Sequence, residues 1–162
     1  MQNYICINGK KAELTEEQLK ALGIELPKAN PFERQTARKP FYFITNKGNV
    51  EYGVEVKDFH CEGLHKTANY CTDKPLLEQR ALHETLNRLL WRYSMEHDGD
   101  KINWSDSSTK CRIYYERGEY ALVNNYKENA IGAVYFHTNE AAKNAIEEVI
   151  KPFMAAHPDF KW

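Results

Sequence analysis

The chain lacks most of what would announce a chemistry. No run of apolar residues approaches the roughly 20 that a membrane-spanning helix needs. The N-terminus lacks the basic-then-apolar layout of a signal peptide, so a protein working without membrane insertion is the expectation. There is no glycine-rich phosphate loop, no GxSxG elbow and no Cys-x-x-Cys knuckle. Charge of either sign is not in excess, for the formal net charge is −1. That balance argues against a generic nucleic-acid coat and against electrostatic steering to a membrane. Cysteine is sparse and scattered, at Cys6, Cys61, Cys71 and Cys111, mostly in strand-like contexts. Reduced, partly buried thiols are a simpler reading than disulfides.

Aromatic residues are plentiful, tyrosine above all, and the chain of 162 residues is long enough for one sizeable core or two small units sharing one. Its patterning suggests a duplication. Residues 41–97 offer an aromatic strand (Phe41-Tyr42-Phe43-Ile44), a turn at Asn46-Lys47-Gly48-Asn49, and an alternating strand (Tyr52-Gly53-Val54-Glu55-Val56). A third strand, Asn69-Tyr70-Cys71-Thr72, follows, then an amphipathic helix. Residues 111–156 repeat the order with Arg112-Ile113-Tyr114-Tyr115, a turn at Glu116-Arg117-Gly118-Glu119, a second strand, an apolar third strand over 131–136, and another helix. Thr72 or Asp73 with Pro75 opens the first helix, whose stripe is Leu82, Leu86, Leu89, Leu90 and Tyr93. Thr138 opens the second, whose face is Ala142, Ala145, Ile146, Val149, Ile150 and Phe153, with Pro152 kinking or closing its last turn.

Ahead of these units, Tyr4-Ile5-Cys6-Ile7 and residues 10–13 predict a hairpin around Asn8-Gly9. The capping box Thr15-Glu16-Glu17-Gln18 starts a short helix that Gly23 ends, with Leu14 and Leu19 as its hydrophobic staple. The expected fold is therefore α+β. It has an N-terminal ββα arm (1–26), a linker (27–40) and two β-β-β-α repeat units packed together (41–100 and 108–162). The linker carries Pro27, Pro31 and Pro40, and Lys28, Arg34, Arg38 and Lys39 make it locally basic. A solvated tether is the plainer reading, and an arm that grips an acidic partner the functional one. The tail from His157 to Trp162, with two aromatic residues, should pack back on the body.

Candidate chemistry is thin. His83-Glu84-Thr85-Leu86-Asn87 nearly matches a zinc-protease helix, but asparagine stands where the second imidazole is required. His60, Cys61, His65 and Cys71 are the better metal candidates, two thiolates and two imidazoles within one polar loop (57–68) and the strand after it. Adjacent His60 and Cys61 make joint ligation awkward, and a plain polar loop is preferred. A Cys–His nucleophile pair lacks an orienting third residue. Asp98, Asp100 and Asp106 lack the spacing of a calcium loop. No cofactor is expected. The remaining feature is a basic–aromatic patch, Arg88, Trp91, Arg92 and Tyr93, near the end of the long helix. Trp91 lies off the leucine stripe. It could anchor a partner or a base, and the need to bury a seam between units favours its covering the neighbouring unit.

Several of these segments carry a resemblance. Residues 69–74 (Asn-Tyr-Cys-Thr-Asp-Lys), the helix run 78–93, the Phe41–Ile44 strand with its glycine turn, and Lys151-Pro152-Phe153-Met154 resemble small uncharacterised proteins of phages, prophages and other mobile elements of Gram-positive gut bacteria. The similarity spans most of the chain. That family has no assigned activity or site residues, so none is carried over. The resemblance implies an accessory protein of a mobile element working in the bacterial cytoplasm. By analogy with anti-CRISPR and other counter-defence proteins, it implies a non-enzymatic inhibitor that occludes a host defence effector, a nucleic-acid-processing complex. The expected partner-binding residues are Arg88, Trp91 and Arg92 with Arg34, Arg38 and Lys39. Direct nucleic-acid binding is an alternative, and a zinc protein or enzyme built on the 60–71 loop is another.

Overall fold

The computed structural model describes residues 4–7, 10–23, 29–97, 99–105, 110–125 and 130–161. The fold is α+β. In chain order it runs β1 (Tyr4–Ile7), β2 (Lys10–Glu13), α1 (Glu16–Ala21), β3 (Pro40–Ile44), β4 (Val50–Val54), α2 (Phe59–Lys66) and α3 (Lys74–Glu96). A 3-10 turn (Gly99–Lys101), β5 (Lys110–Glu116), β6 (Glu119–Asn125) and α4 (Asn139–Ala145) follow. A π-helical segment (Ile146–Ile150) then leads into α5 (Lys151–Ala156). Each pair of consecutive strands forms its own antiparallel two-stranded sheet.

The first hairpin is antiparallel, with Tyr4 opposite Glu13, and its Asn8-Gly9 turn lies outside the described residues. The capping box of α1 is formed: the Thr15 hydroxyl accepts from the Gln18 amide at 3.3 Å, and the Gln18 side-chain oxygen accepts from the Thr15 amide at 2.9 Å. Leu19 is buried.

The β3–β4 hairpin pairs Tyr42 with Tyr52 and Phe43 with Glu51, closed by a turn in which Gly48 has φ +85°. Gly53 has a packing role. A Cβ there would stand 2.7 Å from the Phe41 ring, which lies over the opposite strand and stacks on Tyr70 at 4.1 Å. The β5–β6 hairpin turns at Arg117-Gly118, both with positive φ, as a tight two-residue hairpin loop requires.

Neither expected third strand forms. Tyr42 exchanges two backbone hydrogen bonds with Cys71, and Cys111 exchanges two with Phe136, and each contact is an isolated bridge. On the β3 side the reason is Asn69. Its amide oxygen accepts from the Ile44 amide at 2.7 Å, and its Nδ2 donates to the Ile44 carbonyl at 2.7 Å. One side chain thus replaces a stretch of partner backbone. On the β5 side the segment from Ala130 diverges, and Ile131, expected in an apolar strand, is fully exposed. The polar loop expected over 57–68 is instead largely α2. Asp58 caps it by accepting from the Cys61 amide at 2.8 Å, and Lys57 and Ala68, both with positive φ, bracket it.

The long helix α3 is the spine. Asp73 caps it and Pro75 stands in its first turn, where no amide donor is missed. Its N-terminal half, Leu77 and Ala81, packs with Ile44 and Cys71 of the β3–β4 hairpin region. Its C-terminal half, Leu86, Leu89, Leu90 and Tyr93, packs against Ile146, Ile150, Phe153, Ile113 and Leu122. Thr138 caps α4 by accepting from the Ala141 amide at 3.0 Å. Ahead of Pro152 the helix opens into the π segment, and the missing proline amide falls where the ladder has already shifted register. The tail folds back. Phe160 is buried, and the Gln79 side chain bonds both the Asp159 carbonyl and the Lys161 amide at 2.9 Å.

Replacing Asn69 with alanine removes both edge bonds of Ile44. The expected loss is about 2 kcal/mol of unfolding free energy, read by urea denaturation, with Asn69→Asp restoring only part because aspartate keeps the acceptor and loses the donor.

Candidate functional site

The four metal candidates are not brought together. Cys61 lies in a core cluster with Phe41 and Tyr70, its Sγ 3.8 Å from the Val54 carbonyl. Cys71 belongs to a different cluster, with Ile44, Leu77 and Ala81, and its Sγ accepts from the Asp73 amide at 3.4 Å. The His60 ring meets the edge of Phe43 at 6.2 Å, and His65 meets Tyr70 at 5.7 Å. Among the described residues no group of three His, Cys, Asp or Glu side chains converges as a metal site. Burial pushes the thiols of Cys61, Cys71 and Cys111 above the usual cysteine range, which disfavours the nucleophilic thiolate. His83 stacks near Phe160, ring centroids 4.6 Å apart, and Asn87 donates to the Gly132 carbonyl at 3.4 Å, so both ends of the zinc-like motif have structural partners. Of the calcium candidates, Asp98 and Asp106 lie outside the described residues.

The segment expected as a linker is packed where it is described. Arg34 reaches fully buried Glu55 through Nε and Nη2, each at 3.2 Å. The Gln35 amide donates to the Tyr70 hydroxyl at 3.1 Å, and the Thr72 amide donates to the Pro31 carbonyl at 2.8 Å. The Arg38 amide and the Lys39 carbonyl extend the β3–β4 ladder onto Glu55. Three proline residues forbade a helix there, yet they did not forbid docking. The Arg34 charge is committed inside the fold, whereas the Arg38 and Lys39 side chains are exposed. Arg34 and the Lys57 amide hold the Glu55 carboxyl below the usual range against the opposing effect of burial.

The exposed face of α3 carries the remaining candidates. Trp91 is 60 % exposed, so it does not cover the neighbouring unit. Two adjoining side chains, Arg88 and Arg92, are also exposed. Arg88 Nε donates to the Glu84 carbonyl at 3.2 Å, one turn back, and Arg92 lies 4.0 Å from Glu96 in a solvated pair. Tyr93, on the opposite side, is buried, stacks on His97 at 4.0 Å and bonds Glu148 through its hydroxyl. The patch is therefore Arg88, Trp91 and Arg92, one helical ridge.

Beside that ridge lies a shallow groove of about 270 Å³, lined by Asn87, Arg88, Trp91 and the 132–134 segment. It continues into a second groove of about 420 Å³ that adds Leu90, Arg112, Ile113, Tyr114 and Val123. Arg112 was absent from the sequence-based candidates. Strand alternation would have placed it opposite to core-facing Cys111 and Ile113, but the groove itself exists only because the 130–135 segment leaves the sheet. No protein family, no curated protein and no solved structure matches the chain. Among the described residues no helix is long and apolar enough to cross a membrane.

Two outcomes are expected from this chemistry. Glu55→Gln leaves Arg34 without its buried counter-charge and lowers the melting temperature by roughly 5 °C or more. Because the folded Glu55 carboxyl is shifted down, its contribution is full above the ordinary glutamate range and is lost as pH falls through the lowered value, so the variant loses that acid limb in a pH series of thermal melts. A chromogenic disulfide reagent labels exposed Cys6 at once in the folded protein, while Cys61, Cys71 and Cys111 react only on unfolding.

Proposed function

We propose that the protein is a non-catalytic binder that occludes the surface of a partner protein, with the Arg88–Trp91–Arg92 ridge of α3 as its contact. One observation carries the reading. A tryptophan is left 60 % exposed between two arginines on a helix whose opposite face is fully engaged in the core. Tryptophan and arginine are the residue types most often found to dominate binding energy at protein interfaces. The ridge stands on a 23-residue helix, so it is presented rigidly. Exposed Arg38 and Lys39 are further candidates for the same contact, whereas Arg34 supports the fold.

The target is a host defence effector, a nucleic-acid-processing complex such as a CRISPR–Cas nuclease, within the bacterial cytoplasm. That part rests on the resemblance of the sequence to proteins of mobile elements. The two hairpin–bridge–helix units would serve as the scaffold that holds the ridge. The repeat reading rests on their shared order, each hairpin followed by one backbone bridge and a helix capped by Asp73 or Thr138.

The test is capture and inhibition. Wild-type protein is expected to co-purify with a defence effector from a Gram-positive host and to inhibit its nuclease activity. The triple variant Arg88→Ala, Trp91→Ala, Arg92→Ala keeps its melting temperature within a few degrees and loses capture by at least about tenfold. Unchanged capture by the triple variant would exclude this surface.

A further inference from the structure

Among the described residues, strand β5 presents an edge that is closed at Cys111 and left open at Ile113. In the β5–β6 ladder successive residues alternate between facing the partner strand and facing away. Cys111 faces away, and both its amide and its carbonyl bond Phe136, at 3.0 and 2.7 Å. Ile113, two residues on, faces the same edge. On β3 the equivalent position is Ile44, two residues beyond the Tyr42 bridge, and there Asn69 satisfies both backbone groups. Among the described residues nothing does so for Ile113. The 132–134 segment, which would have been the third strand, leans instead toward α3, where Asn87 holds the Gly132 carbonyl. The 420 Å³ groove is the gap between them.

The walls of that gap have a charge. Arg112 Nε is buried against its floor and has no hydrogen-bond partner among the described residues. Arg88 lines the adjoining smaller groove, beside Trp91. Among the described residues, neither of the two adjoining grooves has an aspartate or glutamate in its lining. A buried guanidinium nitrogen without an acceptor is costly, and an anionic acceptor lowers that cost. An open strand edge is a template for an added strand.

We infer that the groove between β5 and the 132–134 segment binds an extended, acidic segment of a partner protein, which adds to β5 at Ile113 and places a carboxylate on Arg112. Trp91 then packs over the segment where it leaves the groove, and Arg88 meets a second acidic side chain. The backbone ladder supplies affinity without regard to sequence, and the two arginines select acidic residues. This deepens the binder proposed above by naming the chemistry of its partner, and it rests on that reading.

The test uses the full-length chain and fluorescein-labelled octapeptides, blocked at both ends, at physiological salt. One alternates valine and glutamate, a second alternates valine and lysine, and a third pair are the glutamate peptide N-methylated on every second residue in either register. Fluorescence anisotropy is expected to show the glutamate peptide binding at least about tenfold tighter than the lysine peptide. At least one N-methylated form should lose about tenfold, because its ladder donors are gone. Arg112→Gln should weaken the glutamate peptide by about fivefold or more while leaving the melting temperature unchanged, since this side chain makes no bond through Nε that the fold needs. Equal binding of the glutamate and lysine peptides overturns the inference. So does indifference to N-methylation in both registers, full binding by the Arg112 variant, or no binding of the glutamate peptide at millimolar concentration. If any of these occurs while capture of the effector still depends on Trp91, strand addition alone is wrong. If Trp91→Ala leaves capture intact, the surface assignment itself fails.

Discussion

One helix serves two sheets, and that constraint organises the molecule. A two-stranded hairpin cannot bury enough apolar surface to stand alone in water. The described residues form three of them, each its own sheet. The second and third are stabilised from the same side by α3, through Leu77 and Ala81 at one end and Leu86 and Tyr93 at the other. Loss of α3 would leave Ile44 and Cys71 without a floor, and would leave Ile113 and Phe136 with only the α4 alanines and their neighbours. The helix boundaries are accordingly firm: a capping aspartate, a proline in the first turn and a leucine at nearly every inward position.

Because α3 is shared, its sides are divided. The inward stripe is used up by packing, and what is left outward is the Arg88–Trp91–Arg92 ridge. Beneath it, the β5–β6 hairpin has a backbone bridge at Phe136 but no full third strand. The contrast with the β3–β4 hairpin is local and physical. There, Asn69 closes the edge at Ile44 with one amide group, and the Arg34–Glu55 pair, buried with Tyr70 alongside, pins the incoming chain. A fully buried carboxylate without its guanidinium would be costly, so the two residues fix the path of the segment that precedes β3. The β5–β6 hairpin has neither device among its described residues. Among the described residues its edge at Ile113 and its buried Arg112 Nε have no hydrogen-bond partner, at the side of the ridge.

Much of this was legible beforehand. The capping box at Thr15, a cap of α3 at Thr72 or Asp73, the cap at Thr138, the turn glycines Gly48 and Gly118 and both apolar helix faces follow from spacing alone, because each reflects an interaction within four residues or a period of 3.6. The misreadings share a cause. The 57–68 segment looked like a polar loop because α2 buries little besides Cys61, so its helical pattern is faint. The 131–136 run looked like a strand because it is apolar, but whether it pairs depends on where α3 lies. Trp91 was favoured as a seam-filler, yet the seam was already filled by Leu86, Ile146 and Phe153.

What the sequence by itself determined is therefore the set of local elements, their caps and their turns, and the composition of the exposed ridge. Those follow from short-range hydrogen bonding and from periodicity, which one strand of text contains. The tertiary structure alone decided which residues met: that Arg34 serves Glu55 and not a partner, that Cys61 and Cys71 lie in separate cores, and that Arg112 faces an unfilled groove beside Trp91. Those are contacts across 20 or more residues of chain in most cases, and only the packing of both hairpins on one helix selects them from the many that the same residue types would permit.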